Sequence, residues 1–235
     1  MASIAREREG SFTAHSLLAG ARRSIPLALS DAAYGVVFGV LARQAGLSLP
    51  ECVLMSGLVF AGSAQFIALG LWTTPLPGVS LVLTTLVVNL RHLLMGATLR
   101  PWLAHLSSLK RYSSLFFLSD ESWALSIGEY EQGKSNGAFL VGSGVLLYSA
   151  WLSGTIVGRL GGAVVGNPAA WGLDFAFTAL FVALLAARYK DGRDLLPWLA
   201  AGLVAVGAAG ALPGKWYILL GGLAGGVVGV IRDAD

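Results

Sequence analysis

The sequence has little charge for its length. Asp, Glu, Lys and Arg make up 12% of 235 residues, against 55% hydrophobic residues. That is too few to coat a soluble globule, and with a mean hydropathy of +0.71 the chain reads as an integral membrane protein. Cysteine is nearly missing: Cys52 stands alone, which excludes an intramolecular disulfide and any cysteine-rich metal or iron–sulfur site. Only three histidines are present, no pair of them at metal-ligand spacing, so no zinc, haem or other cofactor is expected. The net charge of +3 comes from Lys and Arg gathered in short loops, as the positive-inside rule expects, and carries no nucleic-acid inference.

What is plentiful is glycine, 31 residues. Small residues let membrane helices approach closely and let a backbone break beside a site. A bilayer core of about 30 Å takes about 20 apolar residues per helix, so this length holds roughly seven or eight transmembrane or re-entrant helices. The expected fold is therefore all-α and polytopic. Residues 1–24, with Arg6, Arg8, Arg22 and Arg23, read as a cytoplasmic leader. Residues 25–235 read as one transmembrane domain. Arginines just ahead of the first span, Ile25 to Ala42, place the amino terminus inside, and Pro26 falls near that span's first turn.

The second apolar run, Glu51 to Trp72, is long enough to cross but makes a poor continuous helix. Gly57, Gly62 and Gly70 weaken it, and Ser63 and Gln65 stand where a lipid-facing segment would carry Leu or Val. Irregular backbone survives at membrane depth only where protein or a water-filled cavity satisfies it, so a substrate site is expected around Val59 to Phe66. A third span covers Val79 to Leu99. Leu115 to Ile127, too short to span and holding Asp120 and Glu121, is a second candidate for a broken or re-entrant segment. Further spans are expected at Ala138 to Leu160, Pro168 to Arg188, Leu195 to Leu212 and Trp216 to Ile231.

Two acids stand inside apolar runs, Asp31 and Asp174. An acid in a span costs about 2.5 to 3.5 kcal/mol on insertion scales and is commonly functional. Each is expected six residues from its membrane face, roughly 9 Å deep, as an ammonium partner or proton site; the alternative is an interfacial carboxylate. Their followers match in offset: Tyr34, Phe38 and Leu41 after the first, Phe177, Phe181 and Leu184 after the second. With the two helices running oppositely, this is the pattern of an inverted repeat with discontinuous helices. Gly62, Ser63 and Gln65 offer donors at a half-helix end suited to a carboxylate, or pack as small residues against a neighbour. Asn89, Arg91 and His92 cluster on the third span. Arg91 suits a carboxylate ligand or a pair with Asp31, Asp120 or Glu121, or else snorkels.

Three stretches resemble the AzlC family of bacterial branched-chain amino acid exporters: Met55 to Phe66 with its Phe-Ala-Gly-Ser-Ala-Gln-Phe core, Asn89 to Met95, and Asp120-Glu121. The resemblance implies an inner-membrane carrier exporting leucine, isoleucine, valine and methionine, driven by an ion gradient. It also implies a small second membrane subunit of the AzlD type. Joined to the residues, it suggests a zwitterion with its carboxylate on Gly62 and Ser63, its ammonium near Asp31 and its side chain against Phe60, Phe66 or Tyr34. Protonation of Asp31 and Asp174 would couple export to proton entry. Two other classes compete: an intramembrane enzyme using Ser63 and His92, although no Gly-x-Ser-x-Gly elbow surrounds Ser63, and a passive channel or structural subunit.

Overall fold

A computed structural model describes residues 12–104, 106–132, 137–164, 175, 179, 182, 185–186, 189, 191–192, 195–212 and 216–233. Among them every regular element is a helix. The chain divides into two compact units, one of Met1–Gly70 with Val88–Asn167 and one of Leu71–Val87 with Pro168–Asp235. Among the described residues three helices are long and apolar enough to cross a membrane: α1 (Ala14–Gln44), α4 (Gly78–Thr98) and α8 (Gly137–Gly161).

Helix α1 starts well before Ile25. The Thr13 hydroxyl accepts the Ser16 N–H at 3.2 Å, capping the helix inside the stretch expected as a polar leader. Pro26 consequently lies in the interior of α1 rather than in its first turn. Asp31 moves with it. It stands near the middle of a 31-residue helix, not six residues from an end.

The first unit is built on α1 against α8. Gly35 lies on the Trp151 carbonyl and Gly154 on that of Ala32; Gly39 lies on Thr155 and Gly158 on Val36. Residue numbers rise together, so the helices are parallel. A Cβ on Gly154 or Gly158 would overlap the partner's carbonyl oxygen, so a glycine is required there for backbone-to-backbone contact. Beyond α1, Gly46 at φ +85° lets the Leu47 N–H return to the Ala42 carbonyl at 3.0 Å. Arg159 of α8 then donates to the Leu47 carbonyl at 2.7 Å, tying the two ends together.

The second apolar run is two helices. In α2 (Leu49–Leu58) Ser48 and Glu51 form a capping box. After a break, α3 runs Gly62–Gly70. At about 1.5 Å per residue neither piece alone crosses a bilayer. The short expected segment is also interrupted: α6 (Ser108–Phe116) stops, and Ser119 with Ser122 caps α7 (Asp120–Glu131). A turn of helix, α5 (Arg100–Leu103), is held by Arg111, which donates to the carbonyls of Leu103, Ala104 and Leu106 at 3.2, 2.8 and 3.0 Å. Met95, Leu99, Trp102, Leu103, Leu106, Leu118 and Leu140 close the core there.

In the second unit α9 (Leu195–Ala211) and α10 (Trp216–Asp233) pack as an antiparallel pair, Gly221 and Gly225 of α10 lying on the Ala201 and Pro197 carbonyls of α9. Helix α9 is apolar throughout and buries none of its residues fully. Asp174 lies outside the described residues, and the expected repeat partner of Asp31 with it.

Candidate functional site

The break between α2 and α3 has a definite path. Val59 leaves helical geometry at φ −119°, ψ 71°. The Ala61 N–H turns back to the Val59 carbonyl at 2.6 Å, and the Gln65 N–H takes the Ala61 carbonyl at 3.0 Å to open α3. In an unbroken helix Ala61 would have bonded to Gly57. The freed Gly57 carbonyl instead accepts the Tyr148 hydroxyl of α8 at 3.1 Å, which is how protein satisfies broken backbone at membrane depth. On the other side, as at any helix start, the N–H groups of Gly62, Ser63 and Ala64 have no acceptor within their helix. Gly62 has no side chain and the Trp151 ring lies over it, a Cβ there meeting the ring at 3.0 Å.

Ser56 is the hub that holds the two half-helices to α8. Its hydroxyl oxygen accepts Gln65 Nε2 at 3.1 Å and Trp151 Nε1 at 3.3 Å. Both lone pairs being used, its proton goes to Thr155 Oγ1 at 3.1 Å. The Gln65 amide therefore faces the interior, 1% exposed. Phe66 does likewise, meeting Phe38 of α1 and Trp151 edge to face at 5.7 and 6.0 Å. Both residues stand behind the break as its support. Ser56, Tyr148, Trp151 and Thr155 are absent from the sequence-derived site. For the three on α8 the signal was the 148, 151, 155 spacing, one polar and aromatic stripe along the helix.

Ser63 points elsewhere. Its hydroxyl accepts Nη2 of Arg91 from α4 at 2.6 Å, and Nη1 of the same guanidinium pairs with Asp120 Oδ2 at 2.8 Å. Arg91 thus takes Asp120 among its three proposed acids. The pair is partly solvated, its side chains 33% and 25% exposed. Asp120 is the first residue of α7, where helix N–H groups favour an anion. A second ion pair joins Arg23 to Glu129, pinning α7 against α1 near the expected inside marker.

Asp31 is buried, and its charged neighbour is Glu121, one residue on from Asp120. Tyr34, one turn along α1, is half-buried, and with Phe38 continues the Asp31 face toward the break. Phe60 lies at the break itself, half-buried and edge to face with Tyr148 at 5.2 Å. Asn89 keeps a buried Oδ1 without a partner, as do Nε of Arg91 and Oε1 of Gln65. His92 is half-buried on α4. It is not a hydrogen-bond partner of Ser63, whose hydroxyl instead accepts from Arg91, a guanidinium that offers donors and no acceptor. Asp31, Ser63, Arg91, Asp120 and Glu121 thus belong to one polar region of the first unit, with α3 and α7 both opening toward its carboxylate and guanidinium.

Comparison with known proteins covers more than half of the chain. The profile of the family described as AzlC protein matches residues 26–165, from the interior of α1 to the residues after α8. A membrane protein of Archaeoglobus fulgidus is 33% identical over 185 residues, 78% of this chain and 80% of the relative. The inner membrane protein YgaZ of Escherichia coli is 28% identical over 189 residues, 77% of this chain and 76% of that one. The branched-chain amino acid transport protein AzlC of Bacillus subtilis is 26% identical over 171 residues, covering 72% of this chain and 66% of the relative. No solved structure matches.

Proposed function

This chain belongs to the AzlC family of membrane proteins, and from that premise we propose that it is a secondary transporter exporting branched-chain amino acids. It works in the inner membrane, amino terminus cytoplasmic, with a small AzlD-type subunit. The observation that carries the reading is the broken helix. An interrupted backbone beside Ser63, Arg91 and Asp120, with the buried Asp31 nearby, is the construction secondary transporters use for charged solutes at mid-membrane.

In this mechanism the carboxylate of a zwitterionic substrate binds at the start of α3, on Gly62 and Ser63, where N–H groups and the helix dipole favour an anion. Its ammonium lies toward Asp31, with Glu121 adding to the negative field. The branched side chain rests on Phe60 and Tyr34, with Phe66 in the core against Phe38 and Trp151. Protonation of Asp31 removes the ammonium partner and biases which side the site opens to, coupling export to proton entry. Asp174 is assigned the same role in the second half. Asn89 and His92 line the α4 side. No chemical step on the substrate is involved.

The test is efflux of labelled valine from vesicles with and without the small subunit. Asp31→Asn is expected to abolish proton-driven export while the protein remains in the membrane. Export undiminished in that variant rejects the coupling role, and flux indifferent to collapse of the proton gradient identifies a passive channel.

A further inference from the structure

Arg91 is placed oddly for a structural cation. Through Ser63 it sits at the amino end of α3, and through Asp120 at the amino end of α7. Each of these ends carries a partial positive charge of about half a unit. A guanidinium there adds positive charge to positive charge, with the Asp120 carboxylate as the anion bonded to it. The local field therefore favours a second anion.

The guanidinium is also incompletely used. Two of its nitrogens bond to two different side chains, one through each Nη, and the buried Nε has no partner. Arginine holds a carboxylate best through two parallel N–H donors on one edge of the fork. Neither edge is filled that way by Asp120 alone. An unpartnered buried donor costs free energy, so this arrangement leaves capacity that a bidentate carboxylate would use.

Resting on the amino acid transporter reading, we propose that Arg91 is the residue that grips the substrate carboxylate, and that Asp120 is the internal carboxylate holding Arg91 while the site is empty. Each cycle then exchanges one carboxylate for another on the same guanidinium. Ser63 keeps the fork at the start of α3, where the incoming carboxylate also meets the N–H groups of Gly62 and Ser63. The ligand class is an α-amino acid with a free carboxylate; an amide in that place has no charge with which to displace Asp120.

The experiment compares L-valine with L-valinamide as competitors for labelled valine, using the full chain with its small subunit in lipid vesicles. Wild type is expected to prefer valine. In Asp120→Asn the internal competitor is neutral, so valine binds about tenfold tighter while valinamide is unchanged, the scale of one charge-assisted hydrogen bond. In Arg91→Lys the fork is lost and valine falls toward valinamide. Asp120→Glu restores the wild-type ratio if that variant keeps the pair. Should Arg91→Lys fail to accumulate, Asp120→Asn decides alone. An equal valine-to-valinamide ratio in wild type and Asp120→Asn overturns the exchange even though valine is still exported. Absence of valine binding in wild type overturns both this inference and the transporter reading.

Discussion

Along the seam of α1 and α8 the close contacts are backbone on backbone, glycine against carbonyl, with Ser24 bonding within its own helix and reaching the Ser143 carbonyl at 3.5 Å. Around the break of α2 and α3 the contacts are made by side chains, to one another and to the freed Gly57 carbonyl, and three buried atoms there and on α4, Gln65 Oε1, Asn89 Oδ1 and Arg91 Nε, have no partner among the described residues. The first arrangement leaves no space for a closer approach or for any side chain larger than glycine. The second keeps hydrogen-bonding capacity in reserve, and its members can exchange partners at small cost. A carrier needs both, a frame that stays still and a site that does not.

The largest expected effect breaks the frame. Gly158→Leu places a branched side chain on the Val36 carbonyl, where the overlap is with backbone and costs more than about 3 kcal/mol; no folded protein should elute by size exclusion in detergent. Next comes the joint between frame and site. Ser56→Ala leaves the buried donors of Gln65 and Trp151 unpaired, about 1 to 3 kcal/mol for each. The midpoint of thermal unfolding should fall clearly. An equal midpoint would show that the half-helices are not held to α8 through this hydroxyl.

Within the site the effects become smaller and change kind. Ser63→Ala frees one Nη of Arg91 and removes a single bond worth about 1 to 2 kcal/mol, so valine export should change about three- to tenfold with a smaller fall in thermal stability than in Ser56→Ala. An unfolding shift as large as that of Ser56→Ala would place Ser63 in the frame. Smallest is Ser48→Ala at the exposed start of α2. Losing that cap costs about 1 kcal/mol, and transport should be unaffected.

The interruption at residues 59 to 61 was legible because three glycines together with Ser63 and Gln65 make a poor continuous helix in an apolar run. The second interruption, near Asp120, was legible from length. Burial depth was harder. Asp31 looked shallow because the charged residues 22 and 23 suggested a helix end, whereas α1 runs through them, one arginine being neutralised by Glu129 on another helix. Partner choice was not legible at all. Arg91 had three acids within reach of argument, and only packing of α7 selects Asp120. Gln65 and Phe66 share a motif with Ser63, yet a helical step of two or three residues turns them toward α8 while Ser63 faces α4. Glycines of the α1–α8 seam were visible as composition, but nothing local says which two helices they join.

That pairing sets the order of events during synthesis. Ser24 and the Ser143 it meets are 119 residues apart, and at about 5 to 20 residues per second roughly 6 to 24 seconds pass before the later helix exists. Through that interval the glycine face of α1 lacks the helix that later packs on it. The insertion machinery, or another nascent span, has to shelter it until its parallel mate arrives.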